Sequence, residues 1–73
     1  INLVKIYPNP VSDVLVIDGI NELYDVEIFD IHGKNIMSAL KVKNLKLNSL
    51  NTGIYLLKVF DNSSTHNFKI VKD

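Results

Sequence analysis

The chain has 73 residues, 47% of them hydrophobic, and its eight lysines balance eight acidic residues, with no arginine and no cysteine. A neutral chain without arginine is a poor candidate for binding nucleic acid, and one without cysteine holds no disulfide or thiolate metal site. No apolar run approaches the roughly 20 residues that are needed to span a bilayer.

Seven short apolar runs follow one another along the chain, separated by turn signals roughly every 8–12 residues. In most of these runs apolar and polar residues alternate, which gives each strand one apolar face. This pattern predicts an all-β sandwich or barrel, and the single apolar face of each strand is what a two-sheet sandwich requires. The predicted strands are 3–7, 14–17, 24–29, 34–38, 45–47, 54–60 and 66–71.

The first predicted strand leads into Tyr7, Pro8, Asn9 and Pro10. Each proline restricts the residue before it to extended geometry, and neither proline can donate a backbone hydrogen bond to a sheet. We therefore predict a stiff, extended segment that ends strand pairing and protects the edge of a sheet.

The faces of the strands follow from the same alternation. Val26 and Ile28 share one face of the third predicted strand, which we expect to line the core. The opposite face of this strand and of the sixth carries Phe29, Leu56 and Phe60. These three side chains should form an exposed apolar stripe, which is either ordinary surface or a place where another domain or partner docks.

Three turns or loops are predicted after the third strand. Asp30 with Gly33 three residues later predicts a type I turn closed by a left-handed glycine, since only a residue without a Cβ adopts positive φ freely. Gly53 closes a second polar turn directly before the longest strand. Residues 61–65 form a polar loop that should join the last two strands as a hairpin.

No residue pattern typical of an active site is present. The serines lack the G-x-S-x-G setting of a hydrolase nucleophile, and no cysteine can replace them. His32 and His66 are the only imidazoles, which is weak support for a metal site because structural sites usually take four ligands. No D-x-D-x-D run is present for calcium. We therefore expect no enzyme activity, no cofactor and no metal.

Three motifs occur in order, Y-P-N-P (7–10), D-x-x-G-K (30–34) and L-x-x-G-x-Y (50–55), before the ending F-K-I-V-K (68–72). Together they resemble the type A C-terminal sorting domain of proteins exported by the bacterial type IX secretion system, over nearly the whole chain. The resemblance implies an immunoglobulin-like sandwich of about seven antiparallel strands at the C-terminus of a larger secreted protein.

The start of the chain at Ile1, with its only methionine at Met37, agrees with a piece of a longer protein. We expect residues 1–73 to be a single C-terminal domain, with residues 1–10 as its N-terminal segment. A signal peptide would belong to another part of the protein, so this sequence carries no information on that point.

The resemblance also implies a non-catalytic function. Such a domain directs a covalently linked N-terminal cargo from the periplasm through an outer-membrane translocon. A sortase-like cysteine peptidase then removes the domain, and the cargo is released or joined to surface lipopolysaccharide. The protein is therefore expected to be secreted or at the cell surface, without a nucleic-acid partner and without a membrane-spanning segment.

Site residues are carried over from the family by motif position. The export machinery is expected to read the terminal strand, through strand addition or edge docking, although solvation of an edge strand explains its lysines equally well. The residues expected to be read are Lys69, Ile70, Val71 and Lys72. The positions with a structural role are Tyr7, Pro8, Asn9, Pro10, Asp30, Gly33, Lys34, Leu50, Gly53 and Tyr55.

The competing hypothesis is an immunoglobulin-like accessory module that binds carbohydrate or the cell surface, or that acts as a spacer. The six aromatic side chains leave a sugar platform open, because tyrosine combines an apolar body with a polar tip. The simpler interpretation places Tyr55 and Phe68 in the core and packs Tyr7 under the prolines.

Overall fold

The computed structural model describes residues 4–19 and 23–73, which form seven β-strands in two antiparallel sheets. The prediction of an all-β sandwich is confirmed. The described residues contain no helix, and so none that could cross a membrane. The strands are β1 (Lys5–Tyr7), β2 (Val14–Asp18), β3 (Tyr24–Phe29), β4 (Asn35–Val42), β5 (Asn44–Lys46), β6 (Gly53–Phe60) and β7 (Thr65–Lys72).

The two sheets differ in size and in strand order. The smaller sheet has the order β1-β2-β5, and the larger sheet has the order β4-β3-β6-β7. β6 and β7 form a long hairpin whose pairing runs from Gly53 opposite Lys72 to Phe60 opposite Thr65. This hairpin places β7, the last strand of the chain, at one edge of the larger sheet.

A single core lies between the sheets, and it is built as the alternation predicts. Val26 and Ile28 are buried there, while Tyr55 and Phe68 pack against the core from its margin. Tyr7 is half exposed, so it does not pack fully under the prolines. The buried apolar side chains are Val11, Leu15, Ile17, Tyr24, Val26, Ile28, Leu45, Leu47, Leu57, Val59 and Ile70.

β4 continues four residues beyond the predicted end at residue 38, and a bulge lies within this extension. The pairing between β3 and β4 shifts next to Asp25, whose Oδ1 accepts a hydrogen bond from the N–H of Lys41 at 2.9 Å. Lys41 has a φ of 54°, in the left-handed region. Met37 and Ala39 pack against the core, and after the bulge Val42 does so in place of Lys41. The inserted residue breaks the alternation on which the prediction depended.

The turn between β3 and β4 has the predicted geometry. Gly33 has a φ of 83°, and its N–H donates to the carbonyl oxygen of Asp30 at 3.0 Å. The Asp30 carboxylate accepts hydrogen bonds from the N–H groups of Lys34 at 3.0 Å and His32 at 2.9 Å. The bond from Lys34 contributes most to holding the pKa of Asp30 below its ordinary value.

The turn before β6 is built differently. Gly53 is the first residue of β6 and does not adopt positive φ. A Cβ at this position would lie 3.9 Å from the Tyr55 ring, which is an ordinary contact distance. The left-handed geometry that explains Gly33 therefore does not explain Gly53.

We expect Gly33→Ala to lower the free energy of unfolding by about 1 kcal/mol, because an alanine at this φ is strained. Gly53→Ala is the matched comparison, and it should leave the stability almost unchanged. Urea denaturation followed by circular dichroism measures both changes. Equal losses in the two variants would contradict this assignment of the glycines.

Candidate functional site

Residues 7–11, here called the proline segment, begin at the last residue of β1, and Asn9 and Val11 bond to the edge of β7. β1 ends at Tyr7, directly before Pro8, so the predicted end of strand pairing is confirmed. The peptide bonds that precede Pro8 and Pro10 are both cis, and the chain bends at Asn9 and Pro10, so the predicted extended geometry is wrong there. The edge that this segment protects is that of the last strand, which the sequence alone did not indicate.

Asn9 takes the place of a neighbouring strand through its side chain. Its Nδ2 donates to the carbonyl oxygen of Lys69, and its Oδ1 accepts from the N–H of Val71, both at 2.9 Å. A side-chain amide carries the same kinds of donor and acceptor as a peptide group. One side chain therefore satisfies two backbone groups of β7 that face away from β6.

Val11 extends this contact with its own backbone. Its N–H donates to the carbonyl oxygen of Val71 at 2.8 Å, and its carbonyl oxygen accepts from the N–H of Asp73 at 2.9 Å. Val11 forms a parallel bridge with Lys72, and its side chain is fully buried. The edge of β7 from Lys69 to Asp73 is thus occupied. Strand addition at this edge requires the proline segment to leave first.

The four residues that the export machinery is expected to recognise lie on both faces of β7. Ile70 is fully buried, and Lys72 is only 7% exposed, with its Nζ donating to the carbonyl oxygen of Asp73 at 2.9 Å. Lys69 is exposed and Val71 is partly exposed on the opposite face. A partner that meets the folded domain therefore reaches the side chains of Lys69 and Val71.

A groove of about 330 Å³, here called the outer groove, lies beside Lys69 on the outer face of the larger sheet. Leu56 pairs with Lys69 in the β6–β7 register, and Ile54 pairs with Val71. Ile31, from the turn between β3 and β4, completes the apolar lining. The groove brings together residues that the motifs singled out, namely Asp30, Gly33, Tyr55 and Lys69.

The apolar stripe predicted on this face is present in part. Leu56 is exposed, but Phe29 and Phe60 are both partly buried. The Nζ of Lys58 lies 5.3 Å from the centre of the Phe29 ring, at the distance of a cation–π contact. The exposed apolar surface is therefore centred on Leu56 rather than on the phenylalanines.

Sequence reasoning missed two of the groove residues, Ile31 and Ile54. Ile54 alternates with Leu56, so the period-two pattern contained a signal for it. Ile31 occupies a turn, where no periodicity marks its direction. The contact between Asn9 and β7 had no local signal either, because the bonded residues lie 60 and 62 positions apart.

The remaining motif residues stabilise the turn before β6. The N–H of Leu50 donates to the carbonyl oxygen of Leu47 at 3.0 Å, and Leu50 packs against the core. The hydroxyl of Tyr55 donates to the carbonyl oxygen of Asn51 at 2.7 Å. Tyr55 therefore ties β6 to the turn that precedes it.

His66 pairs with Asp61 across the loop between β6 and β7. The Nε2 of His66 lies 2.7 Å from the Oδ2 of Asp61. The Asp61 carboxylate also accepts from the N–H groups of Ser63 at 2.8 Å and Ser64 at 2.7 Å. These partners, His66 foremost, hold the pKa of Asp61 well below its ordinary value. Within residues 4–19 and 23–73, no group of three or more potential ligands could hold a metal ion.

A sequence model of the family described as "Secretion system C-terminal sorting domain" matches residues 5–73. The match extends from the first residue of β1 to the end of the chain. It includes the proline segment, both turn motifs and the terminal strand. No curated protein matches the chain.

We expect Asn9→Ala to lower the free energy of unfolding by about 1 kcal/mol, because two hydrogen bonds to β7 are lost and water replaces them only in part. The amide of Val71 should also exchange faster with solvent, as its acceptor is the Asn9 side chain. Native-state hydrogen exchange measures this amide directly. Asn67→Ala, on the same strand, is the control, and an unchanged Val71 amide in Asn9→Ala would contradict the contact.

The Asp61 carboxylate should make the free energy of unfolding depend on pH. Because the folded pKa of Asp61 lies below its ordinary value of 3.8, its ionised form stabilises the fold above that pH. This contribution is lost as the pH falls below 3.8 towards the folded pKa.

We therefore expect the wild type to lose more stability than Asp61→Asn between about pH 5 and pH 2, as measured by urea denaturation at each pH. Asp13→Asn serves as the control, since the Asp13 carboxylate has no hydrogen bond or ion pair within the described part of the chain. Parallel stability curves for the wild type and Asp61→Asn would show that the prediction is wrong.

Proposed function

The chain belongs to the family of C-terminal sorting domains of the type IX secretion system, and we propose that it directs an upstream cargo through the outer membrane. The family match over residues 5–73 is the observation that carries this proposal. The family is one of sorting signals rather than of enzymes, and a protein that carries such a signal is secreted or associated with the outer membrane.

The export machinery reads the last strand of the domain while the domain is folded. Ile70 and Lys72 are buried and hold β7 in the sandwich, whereas Lys69 and Val71 remain accessible on the outer face. This arrangement supports a signal that the fold presents in a constant orientation.

The proline segment connects the cargo side of the chain to this strand. β1 leads into the segment, and Asn9 and Val11 bond directly to the backbone of β7. The segment therefore acts as a stiff joint between the cargo and the sorting sandwich. Its hydrogen bonds place the start of the domain beside the strand that is read.

Removal of the domain follows export. A sortase-like cysteine peptidase is the partner that cuts the chain, and the cargo is then released or joined to surface lipopolysaccharide. The peptidase catalyses the cleavage, while the domain acts as the sorting signal.

Export of a reporter tests the proposal. A signal peptide and a fluorescent protein are fused to residues 1–73 and expressed in a bacterium that has type IX secretion. The same reporter without residues 1–73, and the same fusion in a strain without the translocon, are the controls. We expect the reporter at the cell surface or in the medium only when both the domain and the translocon are present.

Retention of a folded fusion in the periplasm of the secreting strain would overturn the proposal and favour the accessory binding module. The mass of the exported reporter tests removal separately. An exported reporter that still carries residues 1–73 would contradict removal by a peptidase but not the sorting function.

A further inference from the structure

We infer that the outer groove is the docking site for a protein of the export machinery that inserts an apolar side chain and places a carboxylate beside Lys69. The inference rests on the proposed function, because it takes β7 as the strand that is read. Beyond that function, the inference specifies which surface of β7 the partner contacts and which chemical groups the partner contributes.

The other surfaces of β7 are already occupied. Its inner face carries Ile70, which is fully buried in the core. Its edge from Lys69 to Asp73 is bonded to Asn9 and Val11. The outer face is what a partner of the folded domain can reach along this part of β7, and this face is continuous with the outer groove through Lys69.

The groove has an apolar lining that is open to solvent. Ile31, Ile54 and Leu56 are 74%, 48% and 40% exposed, although all three are large apolar residues. They come from two separate elements and together line the groove. An apolar side chain inserted there would remove all three from water at once, which is the usual arrangement of an interface anchor.

Charge complementarity selects a partner with a carboxylate. Lys69 lines the groove, and its ammonium group has no ion pair or hydrogen bond within the described ranges. The lining also contains one acid, Asp30, whose carboxylate accepts hydrogen bonds from the N–H groups of His32 and Lys34 and is not paired with Lys69. Lys69 is therefore available to an acidic group of the partner.

A protein fits this surface better than a membrane does. Docking on an anionic bilayer takes several clustered cations, whereas the groove has one lysine and the chain is neutral overall. A single cation beside an apolar pocket instead resembles a protein interface, where one buried anchor is flanked by a charged rim.

Substitutions on the outer face test the inference in the reporter assay. Ile54→Thr keeps a β-branched residue but removes apolar surface, and Lys69→Glu reverses the charge at the rim. We expect each to reduce export by at least about threefold, because each weakens docking. The matched controls are Leu40→Thr, at a strongly exposed leucine of β4, and Lys46→Glu, on β5, and both should be exported like the wild type.

The outcomes separate this inference from the proposed function. If the wild-type fusion is not exported, the sorting function itself fails. If the wild type is exported and the groove variants are exported equally well, docking in the groove is wrong while the sorting function stands. Circular dichroism of the purified variants confirms folding, and if Ile54→Thr does not fold, Lys69→Glu decides alone because its side chain is exposed.

A membrane partner is the remaining alternative. The purified wild-type domain is mixed with vesicles of anionic phospholipid, and sedimentation measures the bound fraction. Binding that is lost in Lys69→Glu would assign the surface to lipid and overturn the inference. No binding in either protein is the expected result.

Discussion

The hydrogen bonds between the Asn9 side chain and the backbone of β7 are the contact on which the arrangement of this domain depends. They join residues 60 and 62 positions apart, and Val11 continues them with two bonds of its own. β1 belongs to the smaller sheet and β7 to the larger one, so these bonds connect the two sheets at a margin where no strand crosses. In a domain with so small a core, such a connection adds to the burial that holds the last strand.

Local patterns predicted most of the fold. Alternation identified all seven strands and the buried faces of β3 and β6, and the spacing of Asp30 and Gly33 identified a turn with the observed positive φ. β4 extends past its predicted end and includes a bulge at Lys41 that is stabilised by Asp25, a residue on another strand. No local pattern contains that contact. Leu3, in the first predicted strand, lies outside the described residues.

The candidate site was harder to predict than the fold, for a related reason. Period two separates Lys69 and Val71 from Ile70, but it cannot show that Asn9 covers the edge of the same strand. The outer groove exists because Leu56 lies opposite Lys69, and this register is set across a hairpin. The motifs therefore identified individual residues of the groove, but the pairing between strands is what brings these residues close together. Lys72, on the same face of β7 as Ile70, is buried and forms a parallel bridge with Val11.

The parallel course of Val11 and β7 has a mechanical consequence. When the two ends of the chain are pulled apart, the proline segment and β7 slide past each other along their length. The hydrogen bonds of Asn9 and Val11 are then loaded in shear and have to break together, rather than opening one after another like a zipper. The domain therefore resists tension between its N-terminal side and its last strand, which is the direction of a pull on β7 against a load attached on the N-terminal side.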